Sequence, residues 1–169
     1  LSTWVAPSSL AGCSQIIGVD AVPSRLELAR ELGATHVLNG QEVNDTVAEI
    51  MKITGKGADY SLDTSAVPAL INQALYCLKT LGTAVSVGST GDREVCIKPQ
   101  YALMAGGKTL IGAIQGDSIP QLFIPKLVRF YKEGKLPIDK LIKFYSFEEI
   151  NKAFEDSHKG ITIKPVIRF

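Results

Sequence analysis

The 169-residue sequence predicts an α/β fold: a mostly parallel sheet flanked by helices, lacking part of its first βα unit. Two observations predict the class. Short β-branched runs alternate with helical patterns at the spacing of βαβ units. The first such run, Ile16-Ile17-Gly18-Val19, is almost continuously apolar, as suits a strand buried on both faces. It ends abruptly in Asp20, and the chain before it is too short for a complete strand and crossover. The truncated first unit follows from that shortage.

The first ten residues form an atypical segment, in which Pro7 and the Ser8-Ser9 pair argue against a helix. Gly12 has the place of a helix C-cap, although the helix before it is expected to be mostly absent. After Asp20, Pro23-Ser24 opens a helical pattern over 25–32 that Gly33 stops. A short strand over 34–39 closes at Asn39-Gly40, and helical spacing returns at Val43, Val47, Ile50 and Met51. Residues 58–65 read as a strand. A helix over 68–79 follows, with Ile71, Leu75 and Leu78 on one face. Gly82 resets the chain before the β-branched strand at 83–88. Residues 89–108 are turn-rich, with a helical turn near Tyr101, and 109–113 is a further strand. A longer amphipathic helix covers 120–133 with Pro125 inside it, and 141–145 is a short strand. Ser146 and Glu149 have capping-box spacing for the helix that runs to about Ser157. The closing strand, 161–169, carries Pro165, which suits a sheet edge. No repeat or linker interrupts residues 11–169, which read as one layered domain.

Composition excludes several classes of function. Apolar residues make up 46% and charged residues 21%, a globular balance, and the net charge of +1 gives no field to attract nucleic acid or anionic lipid. No apolar run reaches bilayer length. Cys13, Cys77 and Cys96 are few, odd in number and far apart, which argues against a disulfide framework or a metal site made from this chain. A cytoplasmic, reducing home is expected.

Asp20 is the first candidate for chemistry. An acid at the carboxyl end of a buried parallel strand sits where doubly wound sheets bind ligands, and in dinucleotide folds it accepts hydrogen bonds from the adenosine ribose. The plainer reading is that it starts a turn or caps a helix. The glycine-rich phosphate turn that should precede such an acid is missing. Gly55-Lys56-Gly57 joins a helix to a strand, the reverse of the required order, and reads as a turn. Small residues cluster after later strands, at Val87-Gly88-Ser89 and at Ala113-Ile114-Gln115-Gly116. There backbone can approach a flat ring closely, although such glycines also simply turn the chain. His36 and His158 have no partner at triad or metal-ligand spacing. Asp59 and Asp63 point the same way on one strand without defining a hydrolase. No catalytic residue and no metal ligand is assigned.

Taken in order, Ala11-Gly12-Cys13, Ile16-Ile17-Gly18-Val19-Asp20, Pro23 to Ala29, Leu32-Gly33-Ala34, Gly57 to Thr64, the run from 82 to 88, Gly112-Ala113-Ile114, Phe147 to Phe154 and the stretch from Gly160 onward resemble the cofactor domain of zinc-dependent medium-chain alcohol dehydrogenases. The aryl or benzyl alcohol dehydrogenase branch is the most similar. The resemblance implies a Rossmann-like NAD-binding domain over 11–169, a fragment of a longer enzyme. It implies that Asp20 holds the adenosine ribose with Arg25 beside it. Val87, Gly88 and Ser89 would lie on the nicotinamide side, Ala113, Ile114 and Gln115 at the carboxamide, and Lys164 near the pyrophosphate. NAD is expected over NADP because Asp20 repels a 2′-phosphate. Zinc belongs to the full-length enzyme only, because Cys13, Cys77 and Cys96 match none of the family's zinc ligands. The implied partners are NAD, a small alcohol or aldehyde, and a second copy joined through the edge strand near 109–113.

Two further readings stand beside this one. The chain is a non-catalytic module that acts in assembly, or a methyltransferase, which would need a glycine-rich turn of its own. As a dehydrogenase fragment, the chain alone is expected to be inactive.

Overall fold

Parallel pairing joins every strand pair in the computed structural model, which describes residues 5–169. In chain order the elements are α1 (Val5–Leu10), β1 (Ile17–Asp20), α2 (Pro23–Glu31), β2 (His36–Asn39), α3 (Thr46–Thr54), β3 (Ala58–Asp63) and α4 (Pro68–Tyr76). They continue with β4 (Leu78–Ser86), α5 (Pro99–Ala102), β5 (Thr109–Gly112), α6 (Pro120–Lys132), β6 (Ile142–Ser146), α7 (Ile150–His158) and β7 (Lys164–Arg168). Helices α2, α4, α5 and α6 all open on proline, whose fixed φ suits the first turn and whose missing N–H costs nothing there. The elements fall into two compact units.

The first unit takes the chain up to Asn39 together with Pro120–Phe169. In it β1 pairs with β2, Asp20 standing opposite Asn39, and β6 pairs with β7 from Ile142–Lys164 to Ser146–Arg168. Its core is Val5, Ala29 and Leu32, packed round by Ile16, Leu28, Ala34, Val37 and Leu141. Val5 belongs to a real helix, which corrects the expectation that the segment before Gly12 has lost its helix. Pro7 falls in the first turn of α1, where no intrahelical N–H is required. The helix then stops in a Schellman arrangement, with Cys13 N–H donating to Ser8 C=O at 3.1 Å and Gly12 N–H to Ser9 C=O at 3.0 Å. Gly12 is therefore the cap its sequence position suggests. Residues 1–4 of the atypical segment lie outside the described residues. At the other end of the unit, Ser146 and Glu149 form the expected capping box, although the turn they open is 3-10 before it becomes α7.

The second unit, Gly40–Ile119, holds the sheet β3-β4-β5 in that order. Leu75, Leu78 and Ala84 are its buried centre, with Ala58, Ile97 and Leu103 packed against them. Helix α4 ends at Tyr76, and Leu78 opens β4 opposite Ala58, so Leu78 is not on the helical face. A buried strand and a buried helix face both demand leucine at such a place, and spacing alone does not separate them. The register slips between Ala58 and Tyr60, taking Leu81 to φ 60°, and pairing resumes at Tyr60–Thr83. Gly82 therefore lies inside the strand. Helix α3 starts at Thr46, later than Val43 suggested, because Asp45 Oδ1 accepts the Ala48 N–H at 3.0 Å. Strand β5 pairs with β4.

Candidate functional site

In the first unit, Asp20 ends β1 and its side chain turns back on the chain. Oδ1 accepts the N–H groups of Ala21 (2.9 Å) and Val22 (3.0 Å). The plain reading of Asp20 as a turn former is thus physically correct, and the same two bonds fix the direction of its carboxylate at the strand end. Val22 is the N-cap of α2, so the turn leads straight into the helix whose first turn carries Arg25. The guanidinium of Arg25 lies against Gly160, in the turn between α7 and β7, and its Nε is buried without a hydrogen-bond partner. Lys164 is exposed at the start of β7, in register with Ile142. The structure therefore places Asp20 and Arg25 on one strand–turn–helix unit and Lys164 on a separate strand pair.

In the second unit three strand ends come together. Ala113 N–H donates to Ser86 C=O and Val87 N–H to Asp63 C=O, each at 3.0 Å. Val87-Gly88-Ser89 and Ala113-Ile114-Gln115 thus leave the sheet side by side. Gly88 packs against the turn after β3: a Cβ built on it would lie 2.7 Å from Ala66 N and 3.0 Å from Ala66 Cα. That turn is held by Asp63, whose buried carboxylate accepts Ser65 Oγ–H at 2.6 Å and the N–H groups of Ser65 and Ala66 at 3.2 Å each. Ala66 sits at φ 59°, Gln115 at φ 51° and Asp117 at φ 50°, conformations that cost non-glycine residues energy and that gather where chains are held for function. Ile114 is 82% exposed. Sequence reasoning missed the Asp63–Ser65–Ala66 lock. The signal was present in an acid two residues before a serine and five before a helix-opening proline, the pattern of an Asx turn.

Other candidates separate. Asp59 is exposed and paired with Lys79, whose hydrogen bond and charge hold its carboxyl below the usual range. Asp63 is buried in its turn, so the two carboxylates do not converge on a common site. His36 is exposed with Nδ1 3.0 Å from Thr35 Oγ1. Cys13 and Cys96 are exposed thiols, and burial pushes the Cys77 thiol up to about 11. Among the described residues no group of three His, Cys, Asp or Glu side chains could hold a metal ion, so they do not fit a zinc ion. No helix among them is long and apolar enough to cross a membrane.

The model of the zinc-binding dehydrogenase family matches residues 5–133. The chain belongs to that family. Its relatives include the geraniol dehydrogenase of Castellaniella defragrans, 37% identical over 94% of this chain and 42% of the relative. Alcohol dehydrogenase 1 of Zea mays is 38% identical over 94% of this chain and 42% of its own length. Among solved structures, benzyl alcohol dehydrogenase from Acinetobacter calcoaceticus superposes with a TM-score of 0.94 at 43% identity, covering 98% of this chain and 45% of that one. A zinc-binding-domain alcohol dehydrogenase from Burkholderia ambifaria gives 0.93 at 44% identity, covering 98% and 44%. This zinc-binding dehydrogenase chain therefore spans less than half the length of those relatives. The resemblance read from its sequence, to zinc alcohol dehydrogenases and their Rossmann-like fold, holds.

Proposed function

We propose that this chain is the NAD-binding part of a zinc-dependent alcohol dehydrogenase, working in the cytoplasm. The observation that carries the reading is the strand–turn–helix unit in which Asp20, oriented by two backbone N–H bonds, leads directly to Arg25. A carboxylate at a strand end suits a vicinal pair of ribose hydroxyls, and a guanidinium in the first turn of the following helix suits the same sugar or its phosphate. The buried, unpartnered Nε of Arg25 fits a site whose polar partner is a ligand. Lys164 adds a cation suited to the pyrophosphate. In the second unit Val87, Gly88 and Ser89 would present backbone to the nicotinamide, and Ala113, Ile114 and Gln115 backbone groups to its carboxamide. NAD, when bound, accepts the hydride of the alcohol or returns it to the aldehyde. The zinc that polarises the substrate oxygen would be held by residues outside this chain.

Calorimetric titration tests the reading. NAD should bind more tightly than NADP, because Asp20 opposes a 2′-phosphate, and the chain alone should oxidise no alcohol when NAD and zinc are added. Equal affinity for the two dinucleotides, or clear turnover, overturns it. A second reading, assembly without chemistry, is favoured by β5, where Leu110 is 38% and Ile111 45% exposed on a strand that pairs with β4. An apolar edge of this kind invites a second copy. A dimer by sedimentation that binds no dinucleotide would put that reading first.

A further inference from the structure

Helix α7 stops in the same way as α1. Gly160 N–H donates to Ser157 C=O at 3.1 Å and Ile161 N–H to Asp156 C=O at 2.9 Å, with Gly160 at φ 73°. That explains a glycine as a helix terminator. It does not explain what lies on its open side. A Cβ at position 160 would come 3.1 Å from Arg25 Nη2, tight enough that the guanidinium must give by a few tenths of an ångström, and 3.7 Å from Cζ, an ordinary contact. The contact spans most of the sequence, from the first turn of α2 to the turn before β7. It also meets a side chain that combines a charge with a buried, unpartnered Nε, alone in this among the described residues. The guanidinium is thus held by packing on bare backbone rather than by a full set of hydrogen bonds.

We propose that Gly160 is a positioning residue for adenine-nucleotide binding: its missing side chain leaves room for the guanidinium of Arg25, which stands in the first turn of the helix that follows the Asp20 turn. This rests on the reading of Asp20 and Arg25 as the adenosine end of an NAD site and adds to it a third residue, remote in sequence. The far end of an arginine moves more easily than backbone, so a methyl at 160 displaces the guanidinium and leaves the fold in place. Binding through Arg25 is lost without loss of the protein.

Gly134 supplies the control. It has φ 69°, close to that of Gly160, and nothing lies within 4 Å of a Cβ built there. Gly160→Ala and Gly134→Ala therefore impose similar backbone strain, and only the first meets Arg25. The experiment is titration of 5′-AMP and NAD into the wild-type chain, both glycine variants, Arg25→Ala and the double variant Gly160→Ala/Arg25→Ala, with thermal melts of each. The expected result is similar melting losses for the two glycine variants. AMP affinity should fall roughly three- to tenfold for Gly160→Ala, stay at the wild-type value for Gly134→Ala, and fall no further when Gly160→Ala is added to Arg25→Ala. Wild-type affinity in Gly160→Ala, or additive losses in the double variant, overturns the positioning role while leaving the dinucleotide reading intact. Failure of the wild-type chain to bind either nucleotide overturns the dinucleotide reading and takes this inference with it.

Discussion

The candidate groups of the two units are made of different material. In the first unit the candidate groups are charged side chains, Asp20, Arg25 and Lys164, on a strand end, a helical first turn and a second strand pair. In the second they are backbone, at Val87-Gly88-Ser89 and Ala113-Ile114-Gln115, shaped by strand ends that pack on one another. A side-chain end can be changed at modest cost to the fold, because Asp20 and Arg25 are only partly buried and lie outside the core of Val5, Ala29 and Leu32. A backbone end cannot, because the residues that present it also close the packing: Gly88 admits the Ala66 turn only by lacking a Cβ. Substitutions in the first unit should therefore separate binding from stability, and those in the second should join them.

The largest effect is expected at Gly88. A methyl there would overlap Ala66 backbone, which cannot move aside as a side-chain tip can, so Gly88→Ala should cost about 1–3 kcal/mol in urea denaturation. A loss under about 0.5 kcal/mol would show that the strand ends are loosely packed and would erase the contrast between the two units. Next comes Asp63→Asn, which replaces an acceptor-only carboxylate by an amide in a turn that offers it three donors. It should cost about 1–2 kcal/mol, measured in the same way. Smaller still is Tyr145→Phe in the first unit. The Tyr145 hydroxyl donates to Asp156 Oδ2 at 2.7 Å and lies 2.6 Å from Thr162 Oγ1, so its removal should cost about 1 kcal/mol. That hydroxyl is also the leading reason that the Asp156 carboxyl titrates below its usual range. The bond stabilises the fold above the unfolded carboxyl's pKa and is lost as pH falls through the depressed one. The variant should accordingly show a shallower acid limb in a stability–pH curve.

The smallest effect is confined to alkali. Burial raises the Cys77 thiol from 9.0 to about 11, so its contribution is complete below about 9 and disappears as pH climbs to about 11. In native protein at neutral pH a maleimide should modify Cys13 and Cys96 and spare Cys77. Mass spectrometry showing modification of Cys77 at the rate of the other two would mean that the β4 end of the second unit opens readily.

The parallel α/β class, the order of strands and helices and the strand–acid–helix unit at Asp20 were legible in the sequence, because apolar runs, prolines at helix starts and glycines at helix ends act locally. Errors arose where two structures make the same demand on a residue. Leu78 is apolar for a helix face or a buried strand alike, and only pairing with Ala58 decides between them. Pro7 breaks a helix in its interior and not in its first turn, so its meaning depended on where α1 begins. The Asp63 lock was written in a local pattern and went unread beside the more conspicuous pair of acids. The seat of Arg25 on Gly160 was out of reach, since nothing in either stretch signals a neighbour so distant along the chain.

The central claim is that Asp20 is a ligand-facing acid and not merely the start of a turn. Titration of 5′-AMP into wild type, Asp20→Ala and Asp59→Ala tests it most directly, because Asp59 is an acid on another strand end already paired with Lys79. Saturable wild-type binding that weakens strongly in Asp20→Ala and is unchanged in Asp59→Ala is the predicted result. Equal effects of the two substitutions would remove Asp20 from the site and leave it the turn former that its hydrogen bonds already make it.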